Sequence, residues 1–344
     1  MFTSNKSSKF SILRKQKEQN EAAETDISVY WKPQSFIWFL LAAASFAAAL
    51  GFDILVPFKQ TVNPVPYRTF LCIAFFTLLF LWALSFKWKT FKVKLYHKSQ
   101  FIFAVGISLA VWDLLTAKTG IFKLPFFPGP LQIADVMVKD YPMLLKSALY
   151  SSRLFFAGLI AGSVSGICAG ILIGWYKQWD YWISPLIKVT GVIPAVAWIP
   201  IAIAVFPNSF SSGVFLIFIA SLFMVSFMTA GGISSTPKSY FEVAKTLGAD
   251  EKFLLFRIAI PHAMPSIFMG ILTATSLCFA TLVVSEMIGA KAGLGWYINW
   301  AKGWSVYSKV YAAIIIMAIS FSIILAVIGL IKNYVLRWQK GILK

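Results

Sequence analysis

Eight runs of apolar residues, each close to the length needed to cross a bilayer, constrain this chain more than any other feature. They cover residues 35–52, 69–86, 101–117, 150–175, 185–206, 213–233, 265–290 and 311–331. A hydrocarbon core takes about 20 residues of helix to span, with some latitude for tilt. Backbone N–H and C=O groups find no water in lipid, so each run must satisfy its own hydrogen bonds and is expected to be helical. The expected fold class is an all-α polytopic membrane protein with about eight transmembrane helices.

Composition agrees with that reading and removes several function classes. Of the 344 residues 59% are hydrophobic and 13% charged, against about 25% charged in an average soluble domain. The net charge of +18 is a feature of nucleic-acid binders, but in a membrane protein it reads as Lys and Arg concentrated on cytoplasmic loops. No nucleic-acid partner is expected. Cys72, Cys168 and Cys278 lie inside apolar runs without C-x-x-C spacing, so they read as small packing residues. With His97 and His262 the only histidines, no metal site is expected.

The distribution of basic residues orients the helices. Lys6, Lys9, Arg14, Lys15, Lys17 and Lys32 precede the first run, and Lys87, Lys89, Lys92, Lys94 and Lys98 follow the second, whereas the loop between the two has only Lys59 and Arg68. The positive-inside rule therefore places both termini, the basic loop after residue 86 and the segment 242–261 in the cytoplasm. Residues 118–147, with Lys118, Lys123, Lys139 and Lys146, fall outside, which weakens the contrast. Residues 1–34 lack the apolar core and cleavage site of a signal peptide and are expected to form a polar tail, helical in part around residues 16–24. The expected organisation is that tail, an N-terminal two-helix extension with its basic loop over residues 35–100, and a transmembrane domain over residues 101–344.

The segment "EVAKTLGADEKFLLFRIAIP", residues 242–261, is charged although apolar runs flank it. Thr236-Pro237 is a helix start, with Thr as cap and Pro at the first helical position. Gly248 stands where a left-handed residue ends the helix. Asp250 caps a second helix expected to stop at Pro261. Phe241, Ala244 and Leu247 would give the first helix an apolar side. On physical grounds alone this is equally an interfacial connector lying on headgroups or a docking element.

Glu242-Val243-Ala244, three residues, Gly248, nine residues and Ile258-Ala259-Ile260-Pro261 closely resemble the EAA loop of permease subunits of binding-protein-dependent ABC importers. The family pattern is E-A-A, three residues, G, nine residues, I-x-L-P, and this chain departs from it at Val243 and Ile260. "VIPAVAWIPIAIAVF", "IPHAMPSIFMGI" and "VVSEMIGAKAGLGWYI" are similar to the nitrate/sulfonate/taurine-type branch. The similarity runs from about residue 101 to the C-terminus. The resemblance implies a permease core of about six helices, preceded by two extra ones. The loop, residues 234–262, would form a coupling helix seated in a groove of a cytoplasmic ABC ATPase, with Glu242, Val243, Ala244, Gly248, Ile258 and Pro261 as coupling residues. It also implies a second permease copy, a periplasmic or lipid-anchored substrate-binding protein, and residence in a bacterial inner membrane.

No G-x-x-x-x-G-K-[ST] loop, nor any Gly-Lys pair, occurs in the sequence. ATP and Mg are therefore expected on a separate chain, with no cofactor bound by this one. No set of residues with catalytic spacing argues for an enzyme.

Other residues are candidates for the pathway. Pro194 and Pro200, with Trp198 between them, interrupt the fifth run, and broken helices in transporters line substrate sites as well as serving as plain kinks. Arg153, Lys188, Glu286 and Asp113 are ionisable residues at or near membrane depth, where function is the default hypothesis. For Glu286 a structural ion pair is favoured over substrate contact. Gly158, Gly162, Gly166, Gly170 and Gly174 recur every fourth residue and form one face for close helix packing. The sequence reading is a permease subunit moving a small anion such as nitrate, a sulfonate or taurine. Its rival, an ion-driven secondary transporter or channel, would want a central carboxylate cluster that is not seen. The topology has a direct check: cysteines introduced as Lys94→Cys or Lys340→Cys should resist an impermeant thiol reagent in intact cells and react once the membrane is opened.

Overall fold

The structure is a computed structural model that describes residues 34–56, 63–85 and 89–338. The expected polar tail, together with Lys59, Lys87, Lys340 and Lys344, lies outside the described residues. Regular structure among the described residues is helical throughout. Among the described residues seven helices are long and apolar enough to cross a membrane, and a pair bent by 95° brings the number to eight if it forms one span. The protein is an all-α, multi-pass membrane protein.

The chain divides into two compact units, residues 1–139 and 140–344. The first contains α1 (Gln34–Leu55), α2 (Val65–Ser85), α3 (Lys89–Asp113) and α4 (Pro130–Lys139). The third span packs along α1 and stays with the first unit. Gly106 on α3 permits that approach, because a side chain there would collide with Ser45 and Phe46 of α1. Phe46, Tyr67, Leu71, Leu78 and Leu131 form the core of this unit. A charged cluster closes one end of it. Arg68 Nε donates to the fully buried Asp53 carboxylate at 2.7 Å, and Lys118 Nζ donates to the carbonyls of Asp53 and Val56. Asp113 is buried beside them, with Oδ1 unbonded.

The second unit contains α5 (Tyr141–Trp175), α6 (Lys177–Val192), α7 (Ile199–Val205), α8 (Ser209–Ser234), α9 (Lys238–Thr246), α10 (Glu251–Gly289), α11 (Leu294–Gly303) and α12 (Tyr307–Val335). Its frame is the close pairing of α5 with α8. All five glycines of the α5 face meet α8: a Cβ at Gly158 or Gly170 would come within 2.5 Å of Ile217 Cβ or Thr229 Cβ, and at Gly162 within 2.6 Å of the Phe218 carbonyl. Only backbone on one side lets the helices approach this closely. α10 packs on the same α8, and α12 joins through a stack of aromatic rings. Phe279 lies 4.6 Å from Phe155 of α5 and 3.7 Å from Phe321 of α12.

The fifth span is broken rather than kinked. The axes of α6 and the Ala195–Val205 segment differ by 95°. Pro194 explains the break, since it has no N–H to continue α6 and forces the preceding Ile193 into extended geometry, φ −83° and ψ 116°. Pro200 sits within the first two positions of α7, where a missing N–H costs nothing.

Two local expectations also change. Helix α9 begins after Pro237, which occupies the cap position itself, and the Thr236 hydroxyl is buried without a bond. Pro261 does not end a helix: the chain runs helically from Glu251 to Gly289. A π-turn over Leu254–Ala259 immediately before Pro261 shifts the hydrogen-bond register, so the absent proline N–H interrupts nothing.

The glycine face makes a sharp prediction. Gly162→Val should lower thermal stability in detergent by an amount equivalent to about 1–3 kcal/mol of overpacking. Gly329→Ala on α12, where a Cβ meets nothing within 4 Å, should be neutral or slightly stabilising.

Candidate functional site

The segment between α8 and α10 folds as a short helix with a defined stop. Gly248 takes φ +82°, the left-handed conformation that side chains resist. The Ala249 N–H donates to the Ala244 carbonyl at 3.0 Å and the Gly248 N–H to Lys245 at 2.9 Å, which is the Schellman pattern. The chain then turns into α10 through Asp250, whose carboxylate accepts the Phe253 N–H at 2.9 Å. Polar residues at the turn thus satisfy the backbone groups that the helix ends leave open.

This helix has two apolar sides with different fates. Ala244 is buried, and Phe241 packs edge-on against Trp175 at 5.6 Å. Trp175 Nε1 in turn donates to Glu251 at 3.1 Å, so the end of α5 holds α9 and the start of α10 together. The outward side is Tyr240, Val243 and Leu247, 54%, 61% and 83% exposed. The expected apolar face of Phe241, Ala244 and Leu247 is therefore split: its first two members face inward, and the free stripe lies one residue round the helix. The i, i+3, i+7 spacing of Tyr240, Val243 and Leu247 carried that signal in the sequence. Glu242 is exposed and forms no hydrogen bond or ion pair with the described residues. Ile258 and Pro261 are half-buried in the segment that returns to the membrane.

At the far end of α10, Glu286 is 1% exposed. No cation among the described residues pairs with it, so the expected ion pair is replaced by a cap. Oε2 accepts the Gly295 N–H at 2.8 Å, at the start of α11, while Oε1 is buried without a partner. Negative charge at a helix N-terminus is favourable. Gly293, at φ +117°, passes so close to the carboxyl that any side chain would strike it. Gly293 and Gly295 of "SEMIGAKAGLGW" are thus explained by the backbone's approach to one carboxylate. Ser151 of α5 accepts the Leu294 N–H at 2.8 Å and fixes the same turn.

A second tie, not anticipated from the sequence, gathers α5, α11 and α12. Asp140 Oδ2 receives Lys309 Nζ at 2.6 Å and the Tyr297 hydroxyl at 2.8 Å. Lys309 also lies 5.0 Å from the centre of the Trp300 ring. Burial works to raise the Asp140 pKa, but the hydrogen bonds from Lys309 and Tyr297 outweigh it and hold the carboxyl below its ordinary value. Burial, then the bond to Asp140, pushes the Tyr297 phenol up.

The remaining pathway candidates do not converge on one point. Arg153 is exposed on α5, with its guanidinium 5.4 Å from the Phe210 ring centre. Pro194 and Pro200 are exposed at the α6–α7 break, and Trp198 is half-buried between them, packed beside Ile199, Ala202 and Leu216. Lys188 lines a cavity between α5, α6 and α8, in the half of the bundle nearer α9. Asp113 belongs to the first unit.

The second unit is a bundle of membrane-spanning helices with a short helix, α9, between two of its spans. Residues 166–340, half of the chain and all within the second unit, match the family described as binding-protein-dependent transport system inner membrane component, and the chain belongs to that family. It is an ABC importer permease subunit. The nitrate import permease protein NrtB of Synechococcus elongatus is 28% identical over 220 residues, covering 60% of this chain and 76% of that one. The bicarbonate transport system permease protein CmpB of the same species is 27% identical over 252 residues, covering 69% and 86%. A solved amino acid ABC transporter with histidines aligns at 19% identity and TM-score 0.48, covering 58% of this chain and 96% of that one.

The Asp140 tie should show in a pH profile. Because its folded pKa is depressed, its stabilisation is complete above the unfolded carboxyl value of about 3.9 and is lost as pH falls through the lower folded value. Asp140→Asn should therefore cost about 1 kcal/mol near neutrality, discounted for partial exposure. Thermal melts of the two proteins should converge below pH 4.

Proposed function

We propose that two copies of this chain frame one import pathway in a bacterial inner membrane, with the α9 end cytoplasmic, and that the cargo is a small oxyanion. In this reading α9 docks on the ABC ATPase, whose separate chain supplies ATP and Mg, and a substrate-binding protein delivers cargo at the opposite face. The observation that carries the docking assignment is the exposed Tyr240–Val243–Leu247 stripe on a helix held at a fixed angle by Gly248 and the Trp175–Glu251 bond. A short rigid helix with an unpartnered apolar stripe and a polar flank suits a groove on a partner protein. ATP-driven closure of the partner would pull on α9, and the Trp175 contact would pass that displacement to α5 and α10.

The cargo assignment is supported by relatives named for nitrate and bicarbonate import and by an excess of basic residues over the chain. Nitrate, bicarbonate, taurine and alkanesulfonates are the compounds to try. Uptake into proteoliposomes bearing the whole complex should be seen with at least one of these anions and not with neutral analogues. Transport confined to neutral or cationic compounds would exclude the anion reading.

The docking assignment has its own check. Gly248→Asp forces a side chain into φ +82° at a cost of about 1–2 kcal/mol and re-aims α9. Val243→Asp puts charge in the centre of the stripe. Both should still insert in the membrane but lose most ATPase copurification and uptake. Wild-type association and uptake in both would make this segment a passive connector. Glu242→Ala, tested alongside, separates a role in docking from one in folding, since Glu242 has no partner among the described residues.

A further inference from the structure

The cavity between α5, α6 and α8 contains a combination of groups that the packing of the fold does not use. It measures about 230 Å³ and is bounded by Ile173 of α5, by Asp180, Ser184, Ile187 and Lys188 of α6, and by the 223–234 stretch of α8, with Phe223 and Phe227 its largest side chains. Asp180, Ser184 and Lys188 follow one another at four-residue intervals and so share one side of α6. The Lys188 ammonium makes no hydrogen bond or ion pair with the described residues, and neither does the nearly buried Ser184 hydroxyl one turn away. Ser226 is different: it is fully buried and its hydroxyl is spent on the Phe223 carbonyl.

Lys188 is exposed, and an unpaired ammonium on a membrane helix is costly where it faces lipid. It is cheap only beside water or a counter-charge. The wall opposite is mostly apolar, and its two Phe rings are firmly placed. Phe223 and Phe227 stack at 6.1 Å, and Gly191 of α6 lies against the Phe223 ring where no side chain would fit. A cation set beside such a wall is poorly screened and attracts an anion more strongly than it would in open water. The volume exceeds that of a single water, about 30 Å³, several-fold, leaving room for a small oxyanion and part of its hydration shell.

Arg153 offers no equal alternative, because its guanidinium already rests on the Phe210 ring. Asp180 sets a direction. It lies about 12 Å along the helix from Lys188, at 1.5 Å per residue, on the side of the α5–α6 connection. A carboxylate there opposes tight anion retention, as a transport site requires if the ion is to leave.

We infer that this cavity is a contact site for the anionic cargo inside the permease, with Lys188 supplying the counter-charge and Ser184 a hydrogen-bond donor. The inference rests on the anion reading above, and the experiment separates the two. Nitrate uptake is measured in proteoliposomes containing permease, ATPase and binding protein, together with ATPase copurification. Lys188→Gln should lower nitrate uptake by about tenfold or more, the scale of one lost charge-assisted contact, with ATPase association unchanged. Lys188→Arg should retain uptake to within about threefold, and Ser184→Ala should reduce it by about two- to fivefold, as expected for one neutral hydrogen bond. Differential labelling of the unsubstituted complex with an amine-reactive reagent provides a readout that needs no variant. Nitrate should slow modification of Lys188 several-fold, and urea, a neutral planar analogue, should not. Wild-type nitrate uptake by Lys188→Gln, or labelling of Lys188 that nitrate leaves unchanged, overturns the site while leaving the anion reading standing. An intact complex that imports no anion removes the reading on which the site depends.

Discussion

The close approach of α5 to α8 is the contact on which the rest of the second unit depends. Lipid supplies no hydrophobic force between helices, so their association rests on dispersion at short range and on shape. Five glycines on α5 lower one helix surface to its backbone, and Ile217, Ser221, Val225, Thr229 and Ile233 of α8 fill the resulting trough. That seam fixes where α8 ends and therefore where α9 emerges. It also fixes the end of α5, where Trp175 grips Phe241 and Glu251. Helix α9 is thus held by the seam at its base rather than by its own few contacts.

The two ends of α10 show how carboxylates position elements by accepting backbone N–H groups rather than by forming ion pairs. Near its start, Asp250 and the π-turn before Pro261 carry the chain from α9 to membrane span without a break. Near its other end, Glu286 caps α11 through backbone N–H rather than a basic side chain. A carboxylate that accepts from a helix N-terminus gains from the local dipole as well as the hydrogen bond. This arrangement is available only because Gly293 brings the backbone against the carboxyl group. The neighbouring Asp140–Lys309–Tyr297 tie performs a similar task with side chains, joining three helices at one oxygen.

The broken span serves a different purpose. Pro194 stops α6 and turns the chain by 95°, which leaves the free side of α6, with Lys188, beside α8.

The local grammar of the chain was legible in the sequence. Apolar run length announced eight spans, because the need to satisfy backbone groups in lipid leaves no alternative to helix. Gly248 announced a left-handed stop, because only glycine takes φ +82° without cost. The four-residue glycine spacing announced a packing face. What the sequence did not contain was the identity of the opposing surface. Phe241 and Ala244 were grouped with Leu247 by spacing, yet Trp175, far away in the chain, packs on Phe241, Ala244 is buried, and Leu247 is left free. Glu286 looked like half of an ion pair, and its partner proved to be a backbone N–H nine residues on. Asp140, Lys309 and Tyr297 bear no local mark of their meeting. Periodicity and backbone restriction act within a few residues and are written in order along the chain. Which face is covered, and which buried oxygen meets which donor, is decided by contacts between distant segments, and only the tertiary structure brings those together.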